Sequence, residues 1–412
     1  MTTAIGHSSN HEDTVHRPVP RARRPLATGL AALAVAGLTL TAGSTPATAA
    51  TAQPFVGVPA AAGSGLTSLS YWNGAVTSPR AYYVDNGDGV HELKVPSSGS
   101  WTDLDISSQN AAIQTRPGSP LASLPLSNER IYYFSSDGHL QELAAAFNWQ
   151  VDTDVTRASG GVAASSTSPL AAISVSGNPR VYYITATGRI EEMAWGNGWH
   201  ATDVTAGGPA AAPGSRLTAV ALGSSPRVYY TSTAGHVIEL SWGGGWHAND
   251  VSASTGATAA EAGSSLSSVV FNGNPLVCYT AVGGHVHQLA YSGGWHHSDV
   301  TGTIAGAVPA APRASLTTVN ALDRGVRTYF TSADGHVREL ITGVPRWSST
   351  DVTVGSGGAP NPSGGALTST VVPNPSSPSL PSWNVFQTTA AGHIQRLYGD
   401  TGHWYAQDIT AL

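Results

Sequence analysis

The chain is 412 residues long, with 11% charged residues, 41% hydrophobic ones, 47 glycines and a formal net charge of -6. An ordinary apolar fraction excludes a disordered chain, and an acidic exterior with a single lysine, Lys94, argues against nucleic acid and anionic membranes, both of which are bound through clustered cations. The lone cysteine, Cys278, allows neither an intrachain disulfide nor a thiolate zinc cluster and reads as a buried, inert thiol, so stability must come from apolar burial.

Residues 1–49 have the parts of an export signal: a basic region with Arg17, Arg21, Arg23 and Arg24, an apolar run over 26–40, and Ala47-Thr48-Ala49 as a small-residue cleavage site. The apolar run is too short and alanine-rich to span a bilayer, so no membrane insertion is expected. The expectation is a secreted, extracellular protein, with the Arg23-Arg24 pair leaving general and twin-arginine export both open. Removing this segment takes the net charge from -6 to -8. Residues 50–63 read as a lead-in or a clasp, the latter from Phe55 to Val58, and the sequence leaves open how the ring closes.

From residue 64 to 412 the chain repeats itself. Aromatic pairs recur about every fifty residues, as Tyr82-Tyr83, Tyr132-Tyr133, Tyr182-Tyr183 and Tyr229-Tyr230, and then in altered form as Cys278-Tyr279, Tyr329-Phe330 and Phe386-Gln387. A Pro/Ser-rich insertion around 373–381 lengthens the last interval. Each unit carries four short runs of alternating β-branched and aromatic residues between Gly, Ser and Asn clusters, which are strand and turn signals. Four-stranded repeats of this length stack radially as a β-propeller. The prediction is an all-β, seven-bladed propeller of four-stranded antiparallel blades, at about 64–107, 118–156, 167–205, 214–252, 264–301, 313–353 and 364–412.

An arginine precedes the aromatic pair and a glutamate follows twelve residues later: Arg80 with Glu92, Arg130 with Glu142, Arg180 with Glu192, Arg227 with Glu239, and Arg327 with Glu339. In the fifth unit both are replaced, by Leu276 and Gln288, and in the seventh by Asn384 and Arg396. The midpoint of each pair falls in the hairpin turn, at Asn86-Gly87 in the first, so the two residues are expected to face each other directly across the hairpin. A plain surface ion pair would also explain their joint loss.

The tryptophans add the second ingredient. Trp101, Trp149, Trp199, Trp246, Trp295, Trp347 and Trp404 open the fourth strand of every unit and suit blade packing equally well. A further aromatic just before them occurs only as Trp195, Trp242 and Tyr291; elsewhere that place holds Val95, Ala145, Thr342 or Gly399. Restriction to three units favours a local task. An arginine fork, a carboxylate that accepts from hydroxyls and an indole face together suit a monosaccharide, whose hydroxyls pair with charges while its C–H face packs on a ring.

In these residues, seen most fully in Arg180-Val181-Tyr182, Gly188 to Glu192, Trp195 and Gly198-Trp199, the sequence resembles the fucose-binding β-propeller lectins of the Aleuria type, found in fungi and bacteria. The resemblance runs over all seven units. It implies glycan partners, fucosylated ones first, bound without metal or cofactor between adjacent blades, with Arg and Glu from one blade and aromatics from the next. Carried over, it gives three complete sites: Arg130 and Glu142 with Trp195 and Trp199; Arg180 and Glu192 with Trp242 and Trp246; Arg227 and Glu239 with Tyr291 and Trp295. Two partial ones follow, Arg80 and Glu92 with Trp149, and Arg327 and Glu339 with Trp404. Known members of that family build six blades, and their two aromatics stand one residue further apart.

Other recurrent residues are set aside. His139, His236, His285, His336 and His393 each come from a different blade and read as solvent-facing strand residues, not as ligands of one ion. Asp105, Asp154, Asp203, Asp250, Asp299, Asp351 and Asp408 occur in all seven units and read as turn caps. The recurrent glutamates come one per blade beside an arginine, where a glycosidase needs two carboxylates roughly 5 to 9.5 Å apart, so the protein is not expected to be an enzyme. Two other readings remain: an extracellular scaffold for protein interaction, and a polysaccharide lyase or hydrolase.

Overall fold

The computed structural model describes residues 57–72, 77–95, 99–109, 112–146, 148–149, 151–321, 325–342, 347–373, 381–399 and 402–410. The expected export signal, and Phe55 and Val56 of the expected clasp, lie outside them. Among the described residues no helix is long and apolar enough to cross a membrane.

Seven four-stranded antiparallel sheets are present, each built from four strands consecutive in sequence. The first strands, Leu66–Trp72, Ala122–Pro125, Leu170–Val175, Leu217–Leu222, Leu266–Phe271, Leu316–Asn320 and Leu367–Val372, stand innermost, each flanked by the first strands of the blades before and after it. The molecule is a seven-bladed β-propeller. Inner strands are joined by hydroxyls as well as apolar contact, through Thr67 to Ser123 at 2.8 Å and Thr218 to Ser268 at 2.9 Å; Ser68 to Thr368 at 3.1 Å joins blade 1 to blade 7. At one end of the axis the inner strands leave a cavity of about 270 Å³ lined from all seven blades by Gly, Ser and Leu, with Arg216 its one charged residue.

The core is divided among the seven interfaces between blades. Adjacent residues of a strand point to opposite faces, so the two members of each aromatic pair serve different neighbours. Tyr132 packs toward blade 3 with Trp199, while Tyr133 packs toward blade 1 and donates its hydroxyl to the Ile113 carbonyl at 2.6 Å. Cys278 sits in the core between blades 5 and 6, where burial pushes its thiol up to about 11.

Each blade is hooked to the next by the turn between its second and third strands. Gly138 takes φ 79° there, its carbonyl accepts from the Ala164 N–H at 2.9 Å, and a Cβ on it would stand 3.0 Å from the Ala164 carbonyl oxygen. Glycine satisfies both the left-handed backbone and the close approach. Ring closure uses the same hook: Gly392 accepts from the Ala60 N–H at 2.9 Å, and Gly57 donates to the Thr410 carbonyl at 3.0 Å. Among the described residues, the lead-in closes the ring through these backbone contacts, and the last blade's sheet holds only its own four strands.

Every recurrent aspartate accepts from a backbone N–H in the turn it opens, as Asp154 does from Arg157 at 2.8 Å and Asp250 from Ala253 at 2.8 Å. All five recurrent histidines bond this aspartate through Nδ1, as His139 does to Asp154 at 2.9 Å, His236 to Asp250 at 2.6 Å, His285 to Asp299 at 2.7 Å and His336 to Asp351 at 2.8 Å. His393 and Asp408 make the same pair. The histidines are half-exposed, as expected, but tied to the aspartates.

Candidate functional site

The register corrects one expectation. In the first blade Tyr82 stands opposite Glu92 and Arg80 opposite Lys94, because the turn is centred on Gly87 and not on Asn86, the Arg80–Glu92 midpoint. The same offset holds in blades 2, 3, 4 and 6. Arginine and glutamate are therefore diagonal neighbours on one face, and the residue directly opposite the glutamate is the first tyrosine of the pair.

That tyrosine is the residue sequence reasoning missed. Its hydroxyl donates to the glutamate Oε1 in all five pairs: Tyr82 to Glu92 at 3.2 Å, Tyr132 to Glu142 at 2.8 Å, Tyr182 to Glu192 at 2.7 Å, Tyr229 to Glu239 at 3.0 Å and Tyr329 to Glu339 at 2.9 Å. The arginine Nη1 donates to the same oxygen, at 2.6 Å from Arg80 and Arg130 and 2.8 Å from Arg180 and Arg227, and Arg327 does likewise to Glu339. The signal was present in the sequence, since the pair keeps its first tyrosine in the five units that keep Arg and Glu and loses it to Cys278 and Phe386 in the two that do not.

These are not the surface ion pairs that alternative reading required. The five glutamate side chains are 0 to 5% exposed. Burial disfavours the charge on Arg130 and on Arg180, but the carboxylates of Glu142 and Glu192 outweigh it and hold both guanidiniums above their usual pKa. A buried carboxylate held by one Arg and one Tyr at Oε1 is fixed in orientation. Among the described residues nothing hydrogen-bonds Oε2 of Glu142, Glu192 or Glu239.

The tryptophan of the following blade completes the wall. Trp199 meets Tyr132 edge-on at 6.3 Å between centroids, Trp246 meets Tyr182 at 6.3 Å, and Trp295 meets Tyr229 at 5.9 Å. Trp149 and Trp404 meet Tyr82 and Tyr329 in the same way, and Trp101 meets Phe386 across the ring closure. Trp347 packs against the core cluster that holds Cys278. Because this contact occurs at every junction, the seven tryptophans are blade-packing residues first. The extra aromatics differ. Trp195, Trp242 and Tyr291 are 43%, 44% and 40% exposed, each T-shaped against its neighbour Trp199, Trp246 or Trp295 at 5.7 to 5.9 Å. The hairpin places them opposite one another in register, as Trp195 with Trp199.

The five Arg–Glu junctions thus fall into two kinds. Arg130, Arg180 and Arg227 keep 26 to 31% of their side chains exposed, and the tryptophan packed on the tyrosine beside each carries an exposed aromatic of its own blade against it. Arg80 and Arg327, at 14 and 10%, are closed off by the chain itself. Arg80 also bonds Glu129 of blade 2 and lies 4.3 Å over the Tyr71 ring, while Lys94 Nζ takes the remaining oxygen of Glu92 at 2.6 Å. The Arg327 guanidinium lies 3.5 Å over the ring of Trp383, a buried residue of blade 7. Glu129 and Trp383 occupy equivalent positions, the residue before the arginine place of the next blade. At the three open junctions that residue is Pro179, Pro226 or Pro275. Between blades 5 and 6 Leu276 joins the apolar core, and in blade 7 the pair is inverted, with Arg396 Nε donating to Asn384 Oδ1 at 2.7 Å.

Such a site, in such a fold, is that of a carbohydrate-binding propeller lectin. The family model described as fungal fucose-specific lectin matches residues 148–356, and the chain belongs to that family. Among solved structures it is similar to a Burkholderia pseudomallei lectin, with 16% identity and a TM-score of 0.63 over 83% of this chain and 97% of that one. It is similar also to the six-bladed Aleuria aurantia lectin, with 21% identity and a TM-score of 0.53 over 71% of this chain and 96% of that one. A variant of the Aleuria lectin in complex with α-methyl-L-fucoside matches at 20% identity, with a TM-score of 0.52 and the same coverage. No curated protein matches.

Proposed function

We propose that this protein is a secreted, multivalent lectin that binds fucose or a closely related monosaccharide at the three open clefts, without metal and without turning the sugar over. The observation that carries the reading is the coincidence at those clefts alone of a Tyr-oriented Arg–Glu pair and an exposed aromatic of the next blade. A guanidinium donor and a carboxylate acceptor side by side match vicinal hydroxyls, and Trp195, Trp242 or Tyr291 offers a face to the sugar's methyl and C–H groups. The Aleuria lectin's complex with a methyl fucoside supports the choice of sugar.

Binding suits the clefts better than catalysis. A glycosidase needs two carboxylates roughly 5 to 9.5 Å apart, whereas these glutamates come one per blade, each accepting two hydrogen bonds at Oε1, one of them from a cation. Several sites on one rigid ring gain strength on clustered glycans through raised effective concentration. Isothermal titration with methyl α-L-fucoside tests the reading. Saturation at three sugars per chain, lost when Arg130, Arg180 and Arg227 are all changed to Ala, is the expected result; heat from no monosaccharide at all would overturn it. Export is tested separately, by the mature N-terminus, which should begin at residue 50.

A further inference from the structure

We propose that His285, His287 and Asp299, on blade 5, form a binding site for one divalent transition-metal ion, with Zn²⁺ the best fit and His297 as the group that holds His287 in its ligating tautomer. The site is separate from the sugar clefts and does not depend on that reading.

His285 stands just before the third strand, Val286–Tyr291, two residues from His287, and His297 and Asp299 alternate along the fourth, so all four project from one face of the outer hairpin, where His287 pairs in register with Asp299 and Leu289 with His297. The Asp299 carboxylate lies between two imidazoles, its Oδ2 at 2.7 Å from His285 Nδ1 and its Oδ1 at 3.8 Å from His287 Nε2. One ligand atom from each of the three residues lies within 4.8 Å of the others. Zinc bonds of about 2.0 to 2.2 Å ask for a modest contraction of that triangle, and His285, whose side chain is 48% exposed, has the freedom to supply it.

The second shell is already in place. His287 Nδ1 stands 2.7 Å from His297 Nε2, with the two rings stacked at 4.8 Å. With Nδ1 as the donor, Nε2 of His287 presents its lone pair toward Asp299. A metal-bound histidine characteristically donates its other N–H to a hydrogen-bond acceptor, a part that the His297 ring nitrogen fills here. His287 is buried, so its ring is held in place on the strand. Two imidazoles and one carboxylate match the three-ligand zinc pattern, in which water takes the fourth position.

The other blades serve as controls within the same molecule. The His–Asp pair recurs at His139–Asp154, His236–Asp250, His336–Asp351 and His393–Asp408. Two residues after each of those histidines stands Gln141, Ile238, Arg338 or Gln395, and at the place of His297 stands Asp152, Ala248, Ser349 or Ala406. Only blade 5 adds the third ligand and its support.

The test uses the untagged chain, stripped with EDTA and titrated with ZnCl₂, with Co²⁺ absorption as a reporter of tetrahedral coordination. Wild type should bind one Zn²⁺ per chain. His285→Ala and His287→Gln should each abolish that stoichiometric binding, and His297→Ala should weaken it about 10- to 100-fold. His236→Ala should leave it unchanged. Glutamine already stands at the His287 position in blades 2 and 7, and His285 is exposed, so the fold should survive both changes; near-UV circular dichroism checks this. Absence of one-to-one binding in wild type, or its retention in both His285→Ala and His287→Gln, would overturn the proposal.

Discussion

The cleft between blades 3 and 4 and the cleft between blades 6 and 7 start from the same three groups, Arg180, Tyr182 and Glu192 in one and Arg327, Tyr329 and Glu339 in the other, and end in opposite states. In the first, Pro226 stands where Trp383 stands in the second, and Trp242 stands exposed where the second has Gly399. Trp383 covers its arginine by a cation–π contact, and Glu129 does the same by charge between blades 1 and 2. A ligand-ready pair and a structural pair are thus the same motif with a different lid. The lid comes from the neighbouring blade, about fifty residues away in sequence.

The largest effect that would sharpen this contrast is loss of the open arginines. Hydrogen bonds to charged groups are worth about 1.5 to 3 kcal/mol, so Arg180→Ala should weaken its own cleft by about 10- to 150-fold and remove one of the three sugars from the titration. Arg80→Ala and Arg327→Ala should leave fucoside binding untouched; if either lowered the stoichiometry, the division into open and closed clefts would fail.

Unblocking comes next. Lys94→Ala combined with Glu129→Ala frees Arg80 and Glu92, and Trp383→Ala frees Arg327. Each variant should gain one additional site of lower affinity, because Ala145 and Gly399 offer no exposed ring there. Surface-plasmon titrations on immobilised fucoside resolve such a weak class from the three strong ones.

The two tryptophans of one cleft should separate in kind. Trp195→Ala removes a half-exposed ring, and an aromatic contact worth about 0.5 to 1.5 kcal/mol beyond area burial predicts a loss of affinity at one cleft with no change in melting. Trp199→Ala deletes a side chain only 5% exposed that packs on Tyr132. Large-to-small changes of this kind cost about 3 to 5 kcal/mol, so thermal unfolding should shift markedly downward.

The smallest effect concerns pH at the closed junction. Burial pushes Glu339 above the usual carboxylate range, against the opposing pull of Arg327. A group bound more tightly to its proton in the folded state contributes stability at low pH that is lost as pH rises through its raised pKa. Glu339→Gln should therefore flatten the fall in urea-unfolding stability between the usual carboxylate range and neutral pH, while Tyr329 keeps a hydrogen-bond acceptor. An unchanged pH slope would remove Glu339 as its source.

Much of this was legible in the sequence, and the reason is repetition. Strand and turn signals too weak to trust once are compelling seven times, so blade count, strand count and the pairing of Arg with Glu all came from periodicity. The register did not, because the five-residue turn is centred one residue later than the Arg–Glu midpoint, and a shift of one residue changes which side chain stands opposite. That slip hid Tyr82, Tyr132, Tyr182, Tyr229 and Tyr329 as the groups that orient the glutamates. Glu129 and Trp383 were hidden for another reason: each lies in a different unit from the arginine it covers, and within its own unit neither breaks the strand pattern. The histidines of blade 5 were legible only as a ring of five, since strand alternation shows their shared face but not the approach of His297 to His287.

The central claim is that three clefts are open and two are closed by the chain itself. Calorimetric titration of the wild-type chain with methyl α-L-fucoside tests it most directly. Saturation at three sugars per chain is the predicted result, and saturation at five, with Arg80 and Arg327 each serving a sugar, would contradict it.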